Sequence, residues 1–415
     1  MRSVLAGKRI VLGVTGSIAA YKAAYLASTL TQAGAQVDVI MTESATRLIL
    51  PLTFQSLTQR PVHVDMFRLV EDTEITHVSL GVSADLLVIA PATANTIAKI
   101  AHGLADDLLS TTVLAARCPI IVAPAMDADM YESPATQENV AKLRERGAVV
   151  VEPEMGRLAS GLVGRGRLAA LEDIVDRIRW VLGQSGDLAG TSILVTAGGT
   201  QEPIDPVRVI TNRSSGKMGY AIAGAALERG ARVTLVSAPT SLRPPAGVEY
   251  VPVTTAEEMR AAVLSRLGLI DALVMAAAVA DFRVDRTAQQ KIKRGDTGLQ
   301  LTLVPNPDIL AETAGQEGGK RPVRVGFAAE SDQLVARARE KLSRKGLDLI
   351  VANRVDPEGT VFGSDYNEVV MIDSGGNETE VKLAPKLEVA HQILDQVSRL
   401  IRERAAGGSA AGSRR

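Results

Sequence analysis

Residues 8–22 read KRIVLGVTGSIAAYK: an apolar β-branched run, a turn holding Gly13 and Gly16, then alanine-rich helical spacing. A strand that feeds a glycine turn and a helix predicts a βα unit, its strand covered on both faces. The alternation continues outward through QVDVIM (36–41), DLLVIA (85–90), PIIVA (119–123) and AVVV (148–151), with helices expected at Ala19–Leu30 and Ala135–Arg146. A helix at Leu171–Leu182 ends in GQSGDLAG (183–190), whose glycines mark a boundary near residue 190. The pattern then restarts with SILVTA (192–197), ARVTLVSA (231–238), DALVMAAA (271–278), RVGFAAE (324–330) and DLIVAN (348–353). Helices are expected at Lys217–Arg229, Glu257–Arg266, Leu334–Lys345 and Leu387–Arg404. The fold class is therefore α/β, with two doubly wound, Rossmann-like parallel-sheet domains, 1–190 and 191–405. The glycine- and serine-rich segment 406–415 is expected to be a disordered tail.

Composition narrows the function classes. The 415 residues carry 46 basic and 47 acidic side chains, so no net field draws the chain to nucleic acid or anionic lipid. No apolar run reaches the roughly 18 residues that span a bilayer, so no membrane partner is expected. One cysteine, Cys118, excludes an internal disulfide, and the first strand begins with no separate signal segment before it. These features predict a cytoplasmic protein that works on small molecules.

In doubly wound sheets, ligands bind beyond the carboxyl ends of the strands. After the first strand, Gly16 and Ser17 suit a phosphate at a helix start, or a tight turn alone. After DLLVIA, Thr93 and Asn95 offer polar groups to a ligand, while Thr93 alone also reads as a helix cap. Of four histidines, His77 in ITHVSL is the candidate for chemistry. After PIIVA come Asp127, which also reads as a helix cap, and Met130. The stretch GRLASGLVGRG (156–166) reads as phosphate cradle, linker or mobile cover; its glycines lack phosphate-loop spacing and it precedes the boundary by more than twenty residues. The cover reading remains, with Arg157 or Arg165 to meet substrate charge. The sheet pattern alone also admits a dinucleotide-dependent oxidoreductase, but no G-x-G-x-x-G follows a strand.

Two motif series resemble known families. GVTGSIAAYK, MTESA, THVSL, APATANTIAKIAHGLADDLLS and PAMDADMY, in this order, resemble the flavin-containing cysteine decarboxylase domain of coenzyme A biosynthesis. LVTAGGTQEPIDPVRVITNRSSGKMGYAIA, AAAVADFR, KIK, NPDIL and GFAAE resemble the phosphopantothenate–cysteine ligase domain usually fused behind it. The chain is thus similar, over nearly its whole length, to the bifunctional decarboxylase/ligase family.

The resemblance implies that the ligase joins 4'-phosphopantothenate and cysteine with CTP and Mg²⁺, through an acyl-cytidylate. It implies a nucleotide site of Ser214, Ser215, Gly216, Gly219, Met275, Ala276, Ala277, Asp281, Lys291, Pro307, Asp308, Ile309, Leu310, Phe327, Lys341 and Lys345. Asn212 matches the asparagine that stabilises the acyl-cytidylate, Lys291 the lysine used as it collapses, and Arg208 can face a substrate anion. For the first domain it implies FMN, held by Gly16, Ser17, Thr42, Thr93 and Asn95, and decarboxylation of phosphopantothenoylcysteine to 4'-phosphopantetheine. His77 matches the active-site histidine, and Met130 falls among the substrate contacts. It further implies a homo-oligomer, a dodecamer of trimeric flavin domains and dimeric ligase domains.

Two positions depart from the family pattern. Asp127 stands where an asparagine holds the substrate carboxylate, which predicts a protonated Asp127 or a rearranged contact. Ser160, in Ala159-Ser160-Gly161, stands where a cysteine donates a proton, and a hydroxyl is a far weaker acid than a thiol. These departures leave a second reading: a live ligase fused to a non-catalytic flavin-binding assembly module.

Overall fold

The computed structural model describes residues 4–67, 75–294, 298–314, 321–330, 333–354 and 363–412. They form two compact units, Arg2–Leu182 and Gly183–Arg415.

The first unit contains strands β1 (Arg9–Val14), β2 (Gln36–Met41), β3 (Val62–His63), β4 (Leu86–Ala92), β5 (Ile120–Pro124) and β6 (Val149–Val150). Its helices are α1 (Ala20–Gln32), α2 (Glu43–Thr46), α3 (Pro51–Thr58), α4 (Thr76–Ser83), α5 (Ala94–His102), α6 (Leu108–Ala115), α7 (Ala128–Glu132), α8 (Pro134–Glu145) and α9 (Leu171–Gly183). The six strands are all parallel in the order β3-β2-β1-β4-β5-β6. Alternate residues of β1 enter opposite cores: Ile10, Leu12 and Val14 pack on one face of the sheet and Val11 on the other. Burial on both faces is why these strands read as continuous apolar runs. The order reverses direction between β1 and β4, which opens a crevice at their carboxyl ends.

A hairpin of β7 (Glu154–Arg157) and β8 (Val163–Arg167) follows the sheet. It is the GRLASGLVGRG stretch, expected to be a mobile cover. Two of its glycines are packing contacts at the base of the hairpin. A Cβ at Gly166 would lie 2.4 Å from the Met126 carbonyl oxygen, and one at Gly164 would lie 2.5 Å from Ala128 Cβ. The Met126 amide also donates to Gly166 O at 2.9 Å, so β8 is seated on the turn that leaves β5.

The second unit contains β9 (Ser192–Ala197), β10 (Gln201–Pro203), β11 (Val209–Thr211), β12 (Arg232–Ser237), β13 (Glu249–Pro252), β14 (Ala272–Met275), β15 (Phe282–Val284), β16 (Leu303–Pro305), β17 (Val323–Glu330), β18 (Leu349–Arg354), β19 (Tyr366–Asp373) and β20 (Glu378–Pro385). Its α-helices are α10 (Lys217–Leu227), α11 (Ala256–Leu264), α12 (Ile309–Glu312), α13 (Leu334–Lys345) and α14 (Lys386–Gly412). Eight strands make one sheet in the order β13-β12-β9-β14-β17-β18-β19-β20. The first six are parallel, as the alternation predicts, but β19 and β20 run as an antiparallel hairpin. Their signal was the turn at Ser374–Asn377, where the glycine pair allows a tight reversal that a helical crossover does not need.

Composition predicts a tail disordered from residue 406, yet the α14 backbone is helical through Gly412. Two of the glycines of 183–190 pack as well: Cβ atoms at Gly183 and Gly186 would each meet a carbonyl, of Glu228 and Arg229, at 2.4 Å.

Candidate active sites

In the first unit, the strand ends bring several expected residues to one edge. Thr15 ties the crevice together: its hydroxyl donates to Pro91 O at 2.7 Å and accepts from the Thr93 amide at 3.0 Å. Gly16 abuts the start of α2, where a Cβ would lie 2.5 Å from Ser44 Cβ. Thr42 caps α2 and Thr93 caps α5, accepting from the amides of Ala45 and Thr96. The structural reading of Thr93 therefore holds, and its hydroxyl still lies at the end of β4. Ser17 lies in the β1–α1 turn, where its amide donates to Thr15 O at 2.8 Å. Asn95 is exposed in the first turn of α5, and His77 lies in the first turn of α4.

Asp127 ends the loop after β5 and caps α7, accepting from the Asp129 amide at 3.4 Å. The hairpin tip reaches over it: the Ser160 hydroxyl donates to Asp127 Oδ2. The two positions that depart from the family pattern are thus hydrogen-bonded to each other. Met130 is exposed on α7, and Arg157 and Arg165 are exposed on the two hairpin strands. Within α7, Tyr131 is buried and donates to Glu152 Oε2 at 2.8 Å. Burial and this carboxylate push the phenol up to about 12. A phenol whose pKa is raised on folding stabilises the fold fully below its unfolded value near 10. That contribution disappears as pH rises from about 10 through about 12. Tyr131→Phe is expected to remove this alkaline step from thermal melts recorded across that range; an unchanged step would assign it elsewhere.

Gly166→Ala tests the hairpin seat. The added methyl meets a backbone carbonyl that cannot swing aside, an overpacking cost of about 1–3 kcal/mol. The expected result is faster tryptic cleavage at Arg157 and Arg165 with the second unit's melting unchanged. Cleavage at the wild-type rate would show that the hairpin does not depend on this contact.

In the second unit, a cavity of about 730 Å³ opens between the start of α10, which packs on β9, and the carboxyl ends of β14, β17 and β18. The sheet order reverses between β9 and β14, so this is its topological switch point. The loop after β14 is pinned by Thr196 Oγ1, which accepts from the Ala277 amide at 3.1 Å, and by Thr200 Oγ1, which accepts from the Ala280 amide at 2.9 Å. Asn212 Nδ2 donates to Val279 O at 3.0 Å, closing the loop against the segment before α10. Gly219 lets α10 approach β9, since a Cβ there would lie 2.6 Å from Ala197 Cβ.

The cavity is lined by Asn212 and by every residue of the expected nucleotide set except Lys291. Lys341 and Lys345 both reach it: Lys341 Nζ donates to Phe327 O at 2.8 Å and Lys345 Nζ to Asp308 Oδ1 at 2.9 Å. Burial pushes Asp308 up, but Lys345 and the Ala311 amide hold its carboxyl below the usual range. Lys291 and Arg208 are not among the lining residues, and Arg208 is tied to Ile292, the residue after Lys291. Asp205 accepts from the Ile292 amide at 3.1 Å and pairs with Arg208 at 3.3 Å, while Arg208 donates to Ile292 O at 3.1 Å. Burial opposes ionisation of Asp205, but the amides of Val207, Ile292 and Arg208 hold its carboxyl below the ordinary value.

Sequence reading missed Lys217, Asn353, Asn367 and Lys386, which also line the cavity. Lys217 was in view, inside SSGKMG, where its serines and glycines drew the reading. The other three come from separate elements with no motif around them.

Fold and sites define a two-unit α/β protein with ligand crevices at the switch points of both sheets. Residues 2–183 match the family model described as flavoprotein, and residues 188–401 match the DNA/pantothenate metabolism flavoprotein C-terminal domain. The coenzyme A biosynthesis bifunctional protein CoaBC of Bacillus subtilis is 45% identical over 96% of this chain and 99% of its own. Its Mycobacterium tuberculosis counterpart is 47% identical over 94% of this chain and 96% of its own. A solved C-terminal domain of a CoaBC protein is 38% identical, with TM-score 0.46, over 53% of this chain and 100% of that chain. The chain belongs to the CoaBC family: it is a bifunctional decarboxylase and ligase of coenzyme A biosynthesis. Among the described residues no helix is long and apolar enough to cross a membrane.

Proposed function

We propose that the ligase activates the carboxylate of 4'-phosphopantothenate with CTP to an acyl-cytidylate, and that cysteine's amine then displaces CMP. The observation that carries this reading is the shared cavity lined by Asn212, the Ser214–Gly216 turn, Asp308 and two lysines. An anionic carboxylate must meet a polyphosphate, so charge neutralisation and positioning dominate the chemistry. Ser214, Ser215 and Gly216 offer hydroxyls and an amide to phosphate at the start of α10, an 11-residue helix. Lys341 and Lys345 neutralise the phosphates, Asp281 serves the nucleotide and its Mg²⁺, and Asn212 donates to the acyl-cytidylate. Arg208, tied to the Lys291 segment through Asp205, faces the substrate anion, and Lys291 acts as the intermediate collapses. Lys345→Ala should weaken CTP about tenfold or more, the worth of one charge-assisted hydrogen bond. Calorimetry with CTP and with ATP tests the reading; a wild-type chain that binds neither refutes it.

The first unit is proposed to hold FMN with Gly16, Ser17, Thr42, Thr93 and Asn95. Hydroxyls and an amide at the ends of three adjacent strands suit a phosphate and the polar edge of a flavin. When bound, FMN supplies two-electron oxidation of the cysteinyl thiol and returns the electrons after CO₂ has left. His77 orients the substrate and Met130 contacts it. The α-carbon that loses CO₂ must gain a proton. With a proton on Asp127, the Asp127–Ser160 hydrogen bond reverses sense: the carboxyl donates to Oγ and the Ser160 hydroxyl passes its own proton to carbon. A carboxylic acid thereby compensates for the weak acidity of the hydroxyl. This pair favours a catalytic flavin unit over a binding module.

Residues 1–190 and 191–405 are proposed as the functional domains of a cytoplasmic homo-oligomer. Exposed Tyr21, Tyr25 and Leu52 on the first unit, and Phe282, Leu301 and Leu303 on the second, support self-association. A monomeric mass by light scattering would refute it.

A further inference from the structure

Arg324, the second residue of β17, is 2% exposed, and its charge is not met by a carboxylate as buried arginine charges usually are. The nearby carboxylate, Asp348, is engaged otherwise: Oδ2 accepts the Arg324 backbone amide at 2.8 Å and Oδ1 accepts from Arg404 Nη2 at 2.5 Å. The Arg324 guanidinium is turned to the end of α13, where Nη2 donates to Gly346 O and Nη1 to Lys345 O at 3.5 Å. The last carbonyls of a helix have no partner within it and carry the negative end of its dipole, so they suit a buried cation. Arg324 thus holds the backbone of Lys345, the residue whose ammonium reaches Asp308 in the cavity at 2.9 Å. Arg324 itself is not a wall residue of that cavity.

We propose that Arg324 is a positioning residue of the ligase: it fixes the last turn of α13 so that Lys345 Nζ stands at the nucleotide, a role that rests on the reading of Lys345 as a CTP contact. Helix ends fray, and a lysine on a flexible stem is placed only as well as its Cα. Lys345 is the final residue of α13, so it needs more hold than Lys341 one turn back. Part of that hold comes from the left-handed Gly346, φ 56°, whose amide donates to Ser343 O at 3.1 Å, and from the Leu347 amide, which donates to Leu342 O at 3.0 Å. Arg324 takes the carbonyls of Lys345 and Gly346, and a planar fork spans neighbouring acceptors where an ammonium would reach one. Burial pushes the guanidinium pKa down and Asp348 pulls it back up, with Arg321 and Arg404 acting in the same sense as burial. A guanidinium starts so high that it keeps its charge.

Titration calorimetry with CTP on the full chain, beside a ligase assay, tests the role. Arg324→Met exchanges a buried charge for an apolar chain of similar size, a change that leaves stability near its starting value, so the melt should move little. CTP should nevertheless bind about three- to tenfold more weakly, with KM for CTP raised by that factor and kcat within about twofold of wild type. Arg324→Lys keeps a charge at the helix end and should recover most of the loss. If Arg324→Met does not fold, Arg324→Gln, which keeps a donor but no charge, replaces it with the same expectation. In the Lys345→Ala background Arg324→Met should cause no further loss, because a residue that acts through Lys345 has nothing left to place. Arg404→Met breaks the neighbouring pair with Asp348 without touching α13 and should leave CTP binding at the wild-type value. Unchanged CTP binding in Arg324→Met, a loss that adds in full to that of Lys345→Ala, or an equal loss in Arg404→Met overturns the positioning role. If Lys345→Ala alone weakens CTP, the ligase reading stands without it; a wild-type chain that binds neither CTP nor ATP refutes both.

Discussion

Ser160→Ala is expected to lower decarboxylase turnover at least a hundredfold while ligase turnover stays at the wild-type value. A positioned proton donor contributes about 10²–10⁴ in rate, and this variant removes the only atom of the pair that reaches from the hairpin tip. The diagnostic readout is the product. With CO₂ lost but the carbon unprotonated, the variant should release an oxidised enethiol, and anaerobic protein should keep its flavin reduced. Asp127→Asn should give the same product, because an amide cannot supply the proton that the Ser160 hydroxyl passes on. Combining Ser160→Cys with Asp127→Asn should restore turnover, since a thiol does not need the carboxyl. Unchanged turnover in Ser160→Ala would dismiss the hydroxyl, and faster turnover in Asp127→Asn would mark the carboxylate as a handicap.

Asn212→Ala is the second large effect. Its amide sits at the mouth of the cavity and bonds the Val279 carbonyl, so it can turn to an anionic oxygen without leaving its loop. Removing one preorganised donor from a developing anion costs about 10²–10³ in rate. Ligase turnover should fall by that factor with CTP binding within a few-fold of wild type, because the phosphates are held by other groups. A large loss of CTP affinity with turnover intact would make Asn212 a binding residue only.

Much of the fold was legible because parallel strands covered on both faces leave continuous apolar runs, as in RIVLGV and LLVIA. Elements outside that pattern were not. The two-residue strand β3 is too short to carry periodicity, and the β19–β20 hairpin alternates polar and apolar residues on a partly exposed edge. In GRLASGLVGRG the glycines were visible, but their reason was not. They are small because a carbonyl and a methyl from the Met126–Ala128 turn lie against them, a contact between segments 36 to 40 residues apart that no local pattern encodes. The cavity of the second unit is walled largely by the motif segments, since SSGKMG, AAAVAD and PDIL each supply several neighbouring wall residues. Lys386 and Asn367 join it singly from distant elements, and only the folded sheet brings them there. Ser160 and Asp127 were each conspicuous in sequence; that they are hydrogen-bonded to each other is visible only in the folded chain.

The most direct test of the account supplies purified protein with 4'-phosphopantothenate, cysteine and CTP, and follows CMP, CO₂ and the final thiol by mass spectrometry. The account predicts equal yields of all three, with 4'-phosphopantetheine as the thiol. CMP without CO₂, with phosphopantothenoylcysteine accumulating, would contradict it and leave a ligase joined to an inert flavin-binding unit.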